Sequence, residues 1–319
     1  MTGRDLAKAP WAPFRPGDRD LLAPRFRTPG YPLCEYTFAT QFCWQEWNRS
    51  LWALVEDFLF VRYLDQGRLR MICPCGSGDL AAALDAAMQF LEGEGHEPRV
   101  DFVPASVALA PGLAERFAVE DHPDDADYWY RREDLAELPG RRYADKRNHV
   151  ARFLRAGFDW RFEPASLQDP AEAMAFVQEW CRTHDCQGDP RLDFEVQALG
   201  TCLQHRDTLG QRCWLLRVDG RVTGLVLGEF LDPQSFVVHY EKAFQDVPGA
   251  YAMLVRETAR VLAPEGVVWI DREQDMGHPG LRQSKRSWNP ARLEMACVLR
   301  PSERDRLDPP KKGRHPPTK

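Results

Sequence analysis

The chain runs twice through one order of local structure, and this doubling restricts its fold more than any other feature. In the first half, apolar runs at 58–64 and 68–73 flank Asp65-Gln66-Gly67 and so form a hairpin. An Ala/Leu-rich helix over about 80–92 and a strand near 99–103 follow. In the second half, 213–218 and 221–230 flank Asp219-Gly220, a pair that tolerates the positive φ of a type I′ hairpin turn. A strand over 235–243 comes next, then a helix over about 249–262, with Leu254, Thr258, Val261 and Leu262 at helical spacing, and a strand over 267–270. Upstream of that hairpin lie a strand near 158–162 and helices over about 170–184 and 194–206; Ala173, Phe176, Val177 and Trp180 give the first helix an apolar face. A last strand covers 293–299.

Strand, two helices, three antiparallel strands, helix, strand, helix, strand is the element order of a GNAT-type N-acyltransferase domain. The expected fold class is therefore α+β: two tandem GNAT-like (acyl-CoA N-acyltransferase) domains with mixed, mostly antiparallel sheets flanked by helices. Residues 1–30, rich in proline and arginine without a sustained period, read as an extended N-terminal arm able to pack against the body. Residues 31–138 form a degenerate GNAT-like domain, 139–300 a GNAT-like domain with the main site, and 301–319 a disordered basic tail.

A length of 319 residues suffices for two cores. The formal net charge of −6 argues against nonspecific nucleic-acid binding by the whole chain, so DNA is not an expected partner, while a local basic patch leaves tRNA open. No apolar run reaches the roughly 20 residues that span a bilayer, and the first residues lack the apolar stretch of a secretory signal, so the expected location is cytoplasmic. Nine scattered cysteines read as reduced thiols. The spacings Cys73-Pro-Cys75 and Cys181-(x4)-Cys186 do not suit zinc knuckles, so no metal is expected.

The richest candidate site is the run 267–290, where an apolar strand opens into acids, bases, amides and glycines. Ligands of α/β proteins collect at such strand ends. Strand alternation puts His239 and Glu241 on one face, with Phe236, Val238, Tyr240 and Lys242 on the other; Trp269, Asp271 and Glu273 share one face of the next strand, with Arg272 and Gln274 opposite. Amide formation needs an uncharged amine, a donor for the oxyanion and a dry slot. Glu241, Glu273 or Asp275 can take the proton, with His239 as the alternative because its reference pKa lies near neutrality; a salt-bridge cluster at the sheet rim is the competing reading. The turn 245–251, with Gly249, Ala250 and Tyr251 opening a helix, offers free N–H groups to a phosphate or carboxylate, or merely starts the helix. Arg282 and Lys285 can hold an anion or be solvated. Residues 141–155 carry six positive side chains against one acid, with Tyr143, Val150, Phe153 and Leu154 as an inner face. That helix is either one wall of a cleft that holds a phosphate-bearing donor or a solvated linker.

Tyr128-Trp-Tyr-(x2)-Glu-Asp-Leu-(x3)-Pro-Gly140, Lys146-Arg-Asn-His149, Glu241-Lys-Ala243, Gly249-Ala-Tyr251, Glu273-Gln-Asp-Met-Gly277 and Gly280-Leu-Arg-(x2)-Lys285-(x)-Ser287-(x2)-Pro290 resemble the soluble branch of the phosphatidylglycerol lysyltransferase C-terminal-like family, over roughly 32–300. The resemblance implies tandem GNAT folds and acyl or aminoacyl transfer. It implies a polar cleft of Lys146, Arg147, Asn148, His149, Glu241, Lys242, Glu273, Gln274, Asp275, Arg282 and Lys285, and an aromatic contact at Trp288 in place of the tyrosine expected in relatives. The expected function is transfer of an acyl group from a phosphate-bearing donor, acyl-CoA or aminoacyl-tRNA, to an amine or hydroxyl acceptor such as a small molecule or a lipid head group, with no cofactor bound permanently. The alternative is a noncatalytic protein that senses a phosphate-bearing metabolite or acyl-tRNA.

Overall fold

In the computed structural model, residues 1–166, 170–183 and 190–302 are described, the Leu192 side chain excepted. Residues 303–319 of the expected tail, and Cys186, lie outside them. Among the described residues, twelve strands make one sheet: β1 (Leu51–Val55), β2 (Phe58–Asp65), β3 (Arg68–Ile72), β4 (Cys75–Gly76), β5 (Val100–Pro104), β6 (Phe117–Arg131), β7 (Trp160–Pro164), β8 (Arg212–Val218), β9 (Arg221–Asp232), β10 (Ser235–Ala243), β11 (Trp269–Asp271) and β12 (Arg292–Pro301). The spatial order is β1-β2-β3-β5-β12-β6-β11-β10-β9-β8-β7, with β4 beside β2. Among the described residues, only β3–β5 and β10–β11 pair in parallel, one such pair in each half of the repeat. The sheet is thus mixed and mostly antiparallel, as expected.

The two halves exchange their last strands. β6 follows β5 in the chain but pairs with β11, and β12 follows β11 but fills the place beside β5; β6 and β12 then pair with each other and join the halves.

The two faces of the sheet carry separate cores. One holds Leu84, Leu91, Phe60 and Ile72 together with Phe176, Leu199, Leu225 and Leu227, so it runs beneath both halves. The other packs the helix Ala250–Val261, through Met253, Leu254 and Val255, against Trp214, Val226, Phe236 and Val238. Helix Leu80–Gly93 starts where Asp79 accepts a hydrogen bond from Ala82 N at 3.0 Å.

The N-terminal segment is not the extended arm that its proline content suggested. It forms helices Gly3–Ala7 and Arg19–Phe26 and buries Leu6, Phe14, Leu22 and Phe26 in the shared core. Burying each such side chain is worth about 1.5–3 kcal/mol, which outweighs the weak local propensity.

Candidate functional site

β10 and β11 stay paired only over Ser235–Trp269, Phe236–Ile270 and Val237–Asp271. Beyond that point β10 bulges between Val238 and Tyr240, opposite Gly228, whose absent Cβ would lie 2.0 Å from the Val237 carbonyl oxygen. On the other side Glu273 takes a left-handed conformation at φ 56°. Both irregularities reverse the alternation on which the expected faces rested. Val238 packs in one core and Tyr240 in the other, so these residues do not share a face. His239 turns toward Glu229, whereas Glu241, in register with Val226, points to the opposite side. Gln274 joins the side of Glu273 rather than that of Arg272, reaching Cys34 Sγ at 3.2 Å and donating from Nε2 to Glu35.

The first face is acidic. His239 Nδ1 lies 2.7 Å from Glu273 Oε1, and its Nε2 lies 3.1 Å from Glu229 Oε1. Burial works against a charged imidazole here, but hydrogen bonds to Glu229 and Glu273 outweigh it and raise the pKa well above the ordinary histidine value. His239 is therefore an imidazolium flanked by two carboxylates, which suits an acid better than the base expected from its reference pKa. Behind it, Asp127 accepts from Cys34 N at 2.6 Å, and Asp271 accepts from Glu273 N at 2.8 Å. Burial, followed by repulsion among the acids, pushes Glu35 and Asp127 well above the carboxylate range; burial does the same to Asp271. Glu229 also lines a crevice, with Phe26, Arg27, Tyr36, Thr37 and Phe230.

The second face is charge-paired and aromatic. Arg272 Nε donates to Glu241 Oε2 at 3.1 Å, its Nη2 donates to Tyr251 Oη at 2.6 Å, and Tyr251 in turn donates to Glu241 at 2.9 Å. The Arg272 guanidinium lies 5.2 Å from the Tyr130 ring and 5.4 Å from the Trp288 ring. Trp288 supplies the expected aromatic contact and also carries Lys146 Nζ at 4.5 Å; Lys146 donates to Ser287 Oγ at 2.6 Å. Buried Lys285 donates to the Glu273 carbonyl at 3.1 Å and to that of Arg272, and burial depresses its pKa.

The other expected residues are anchors or lie apart. Asp275 accepts from Tyr128 Oη at 2.6 Å, Gly277 N at 2.9 Å and Arg282 Nε at 2.7 Å. Burial alone would raise it, but these donors hold it at about 2, so its carboxylate is an anchor for the loop and a poor base. Lys242 donates to Glu195 at 3.0 Å and lies 4.0 Å from the Trp180 ring, on the face away from Glu241. On helix Ala144–Arg155, Arg147 donates to the carbonyls of Leu138 and Gly140, both at 2.5 Å, while Asn148 and His149 are exposed. Of the cleft residues expected on this helix, Lys146 is the one that reaches the 285–288 segment, and Leu154 is 47% exposed rather than part of an inner face. Gly249, at φ 83°, sits where a Cβ would be 2.2 Å from the His149 carbonyl oxygen, so the basic helix packs onto the turn that opens with Ala250 and Tyr251.

Sequence reasoning missed Cys34, Glu35, Asp127, Glu229 and Arg272. Glu229 had a legible signal, a lone acid inside the apolar run 222–230, and Asp127 sits just before the aromatic run 128–130.

Doubled units, each with three antiparallel strands and a parallel neighbour, define a tandem GNAT-type fold. The chain belongs to the family described as phosphatidylglycerol lysyltransferase, C-terminal, whose sequence profile matches residues 31–298. The family's description is that of a lysyltransferase, which places the chain among aminoacyl- or acyl-transferase folds in general. A conserved protein of unknown function from Bacteroides thetaiotaomicron VPI-5482 is 28% identical, with a TM-score of 0.83 over 92% of this chain and 100% of that one. The C-terminal domain of a putative lysylphosphatidylglycerol synthetase from Agrobacterium fabrum shares the fold at 14% identity and TM-score 0.59, over 82% and 86% of the two chains. So does L-PGS from Bacillus licheniformis, at 12% identity and TM-score 0.56, over 79% and 84%. No curated protein matches. Among the described residues, no helix is long and apolar enough to cross a membrane.

Proposed function

We propose that the chain transfers an acyl or aminoacyl group from a phosphate-bearing donor, aminoacyl-tRNA or acyl-CoA, to an amine or hydroxyl acceptor, and that the reaction runs beside the Glu229–His239–Glu273 chain. The observation that carries this reading is the pair of carboxylates around a buried imidazolium where β10 and β11 part. The acceptor nitrogen or oxygen attacks the donor carbonyl carbon, and the bond from that carbon to the ester oxygen or thioester sulfur breaks. Glu273, the more accessible of the two carboxylates, takes the acceptor's proton. Glu273 then returns that proton to the leaving oxygen or sulfur, while His239, both of whose ring nitrogens are held by Glu273 and Glu229, positions the Glu273 carboxylate.

An aminoacyl donor is the better fit of the two. The acidic face offers carboxylates to an α-ammonium group, and the His149 carbonyl stands beside the Gly249 turn, where a coenzyme A pyrophosphate would need N–H donors. A small amine or a lipid head group serves as acceptor.

The test is product mass spectrometry after incubation with charged tRNA or acyl-CoAs and a panel of polyamines and glycerol head groups. Product is expected, and Glu273→Gln lowers turnover by about 10²–10⁴-fold while the melting temperature holds. Full turnover in Glu273→Gln overturns the assignment. Binding without product in the wild-type chain makes it a sensor instead.

A further inference from the structure

Behind the crevice, the turn Cys34–Tyr36 meets β6 and the loop after β11 at a point enclosed by protein. Cys34 Sγ, a Glu35 carboxylate oxygen and an Asp127 carboxylate oxygen all lie within 4.8 Å of one another, and all three residues are buried. A tetrahedral zinc ion, with bonds of about 2.3 Å to sulfur and about 2.1 Å to oxygen, separates its sulfur and oxygen ligands by about 3.6 Å. The distance from Cys34 Sγ to Glu35 Oε2 is 3.5 Å. Gln274 Oε1, at 3.2 Å from the same sulfur, offers a fourth ligand.

A second observation points to a cation. Asp127 is 0% exposed and its Oδ1 has no hydrogen-bond donor; Asp271, against it, is also 0% exposed, and its Oδ2 has none either. The two enclosed acids lie close enough to share a proton, and a cation beside Asp127 takes the place of that proton in satisfying the oxygens that no protein donor reaches.

We infer that Cys34, Glu35 and Asp127, with Gln274 Oε1, bind a divalent cation of the zinc class. Cys34 coordinates as thiolate; its proton, and those of Glu35 and Asp127, pass to solvent on binding. Asp271 lies outside the ligand set and offsets the ion's charge. The ion fastens the N-terminal turn to β6 and to the loop that carries Glu273.

The full-length chain is stripped with a chelator and then offered Zn²⁺ or Co²⁺ alone. A single ion per chain is expected by elemental analysis. The cobalt form is expected to show a thiolate-to-metal absorption in the near ultraviolet, lost in Cys34→Ser and kept in Cys181→Ser. X-ray absorption of the zinc-loaded wild type gives the same readout without a variant, with one sulfur in an otherwise oxygen shell. A wild-type chain that retains neither ion, a zinc shell without sulfur, or an absorption that survives Cys34→Ser overturns the site and leaves protons shared among the carboxyls.

Discussion

The two faces of the sheet at the β10–β11 parting are built from neighbouring residues, yet they solve opposite electrostatic problems. On one, Glu241 is matched by Arg272 and closed by Tyr251, Tyr130 and Trp288, so its charge is cancelled where it is buried. On the other, Glu35, Asp127 and Asp271 crowd together, with His239 and, from the opposite side, Lys285 nearby, and their pKa values rise. A paired face of this kind fixes structure. An acid-rich face holds protons or cations. The bulge at His239 and the left-handed Glu273 are the local devices that send adjacent side chains to these different fates.

The contrast breaks most sharply at Arg272. Arg272→Met leaves Glu241 buried and unpaired and is expected to cost about 3–5 kcal/mol in urea unfolding. Adding Glu241→Gln to the same chain restores most of that loss; a double variant that falls by the sum of the single changes contradicts the paired reading.

A smaller effect lies on the acidic face and is read against pH. Asp127 and Asp271 hold protons more tightly when folded than when unfolded, so their stabilisation is complete below about pH 4 and is lost as pH rises through their folded values. His239, also raised, contributes stability that is lost as pH climbs through its folded value. Asp275 has the opposite sign: its contribution is complete above about pH 4 and is lost as pH falls toward about 2. In chelator-treated protein, Asp271→Asn removes one ionising partner and offers an amide to Asp127, so melting temperature falls less steeply between about pH 5 and pH 8 than in wild type. An unchanged slope would place the pH dependence elsewhere. Smallest is Lys146→Met, which gives up the Ser287 hydrogen bond and the Trp288 contact, for a loss of about 0.5–1 kcal/mol by chemical denaturation.

Much of the fold was legible because it is written in local periodicity: β10 was read at its observed ends, and the helix before β11 within a residue or two of them. What escaped was non-local. β6 reads as an acidic stretch, Phe117-Ala-Val-Glu-Asp-His-Pro-Asp-Asp-Ala-Asp, with no alternation to mark a strand, and nothing local shows that β12 crosses to the other half. The 267–290 run lies where β10 and β11 part, and strict alternation assigned the wrong faces to Tyr240 and Gln274, since a bulge and a left-handed residue leave no period of their own. Glu35 and Asp127 gain their chemistry only from meeting each other across 92 residues of chain.

The exchange of β6 and β12 also sets the timing of assembly. The sheet of the N-terminal half has no partner for the inner edge of β5 until Arg292–Pro301 has been made, so during synthesis it waits with that edge open while almost the entire remainder of the polypeptide is added. The pairing of β6 with β11 needs nothing beyond Asp271, so the C-terminal half assembles first, and the N-terminal half is completed only by the last strand, the order in which an unpaired edge is exposed longest.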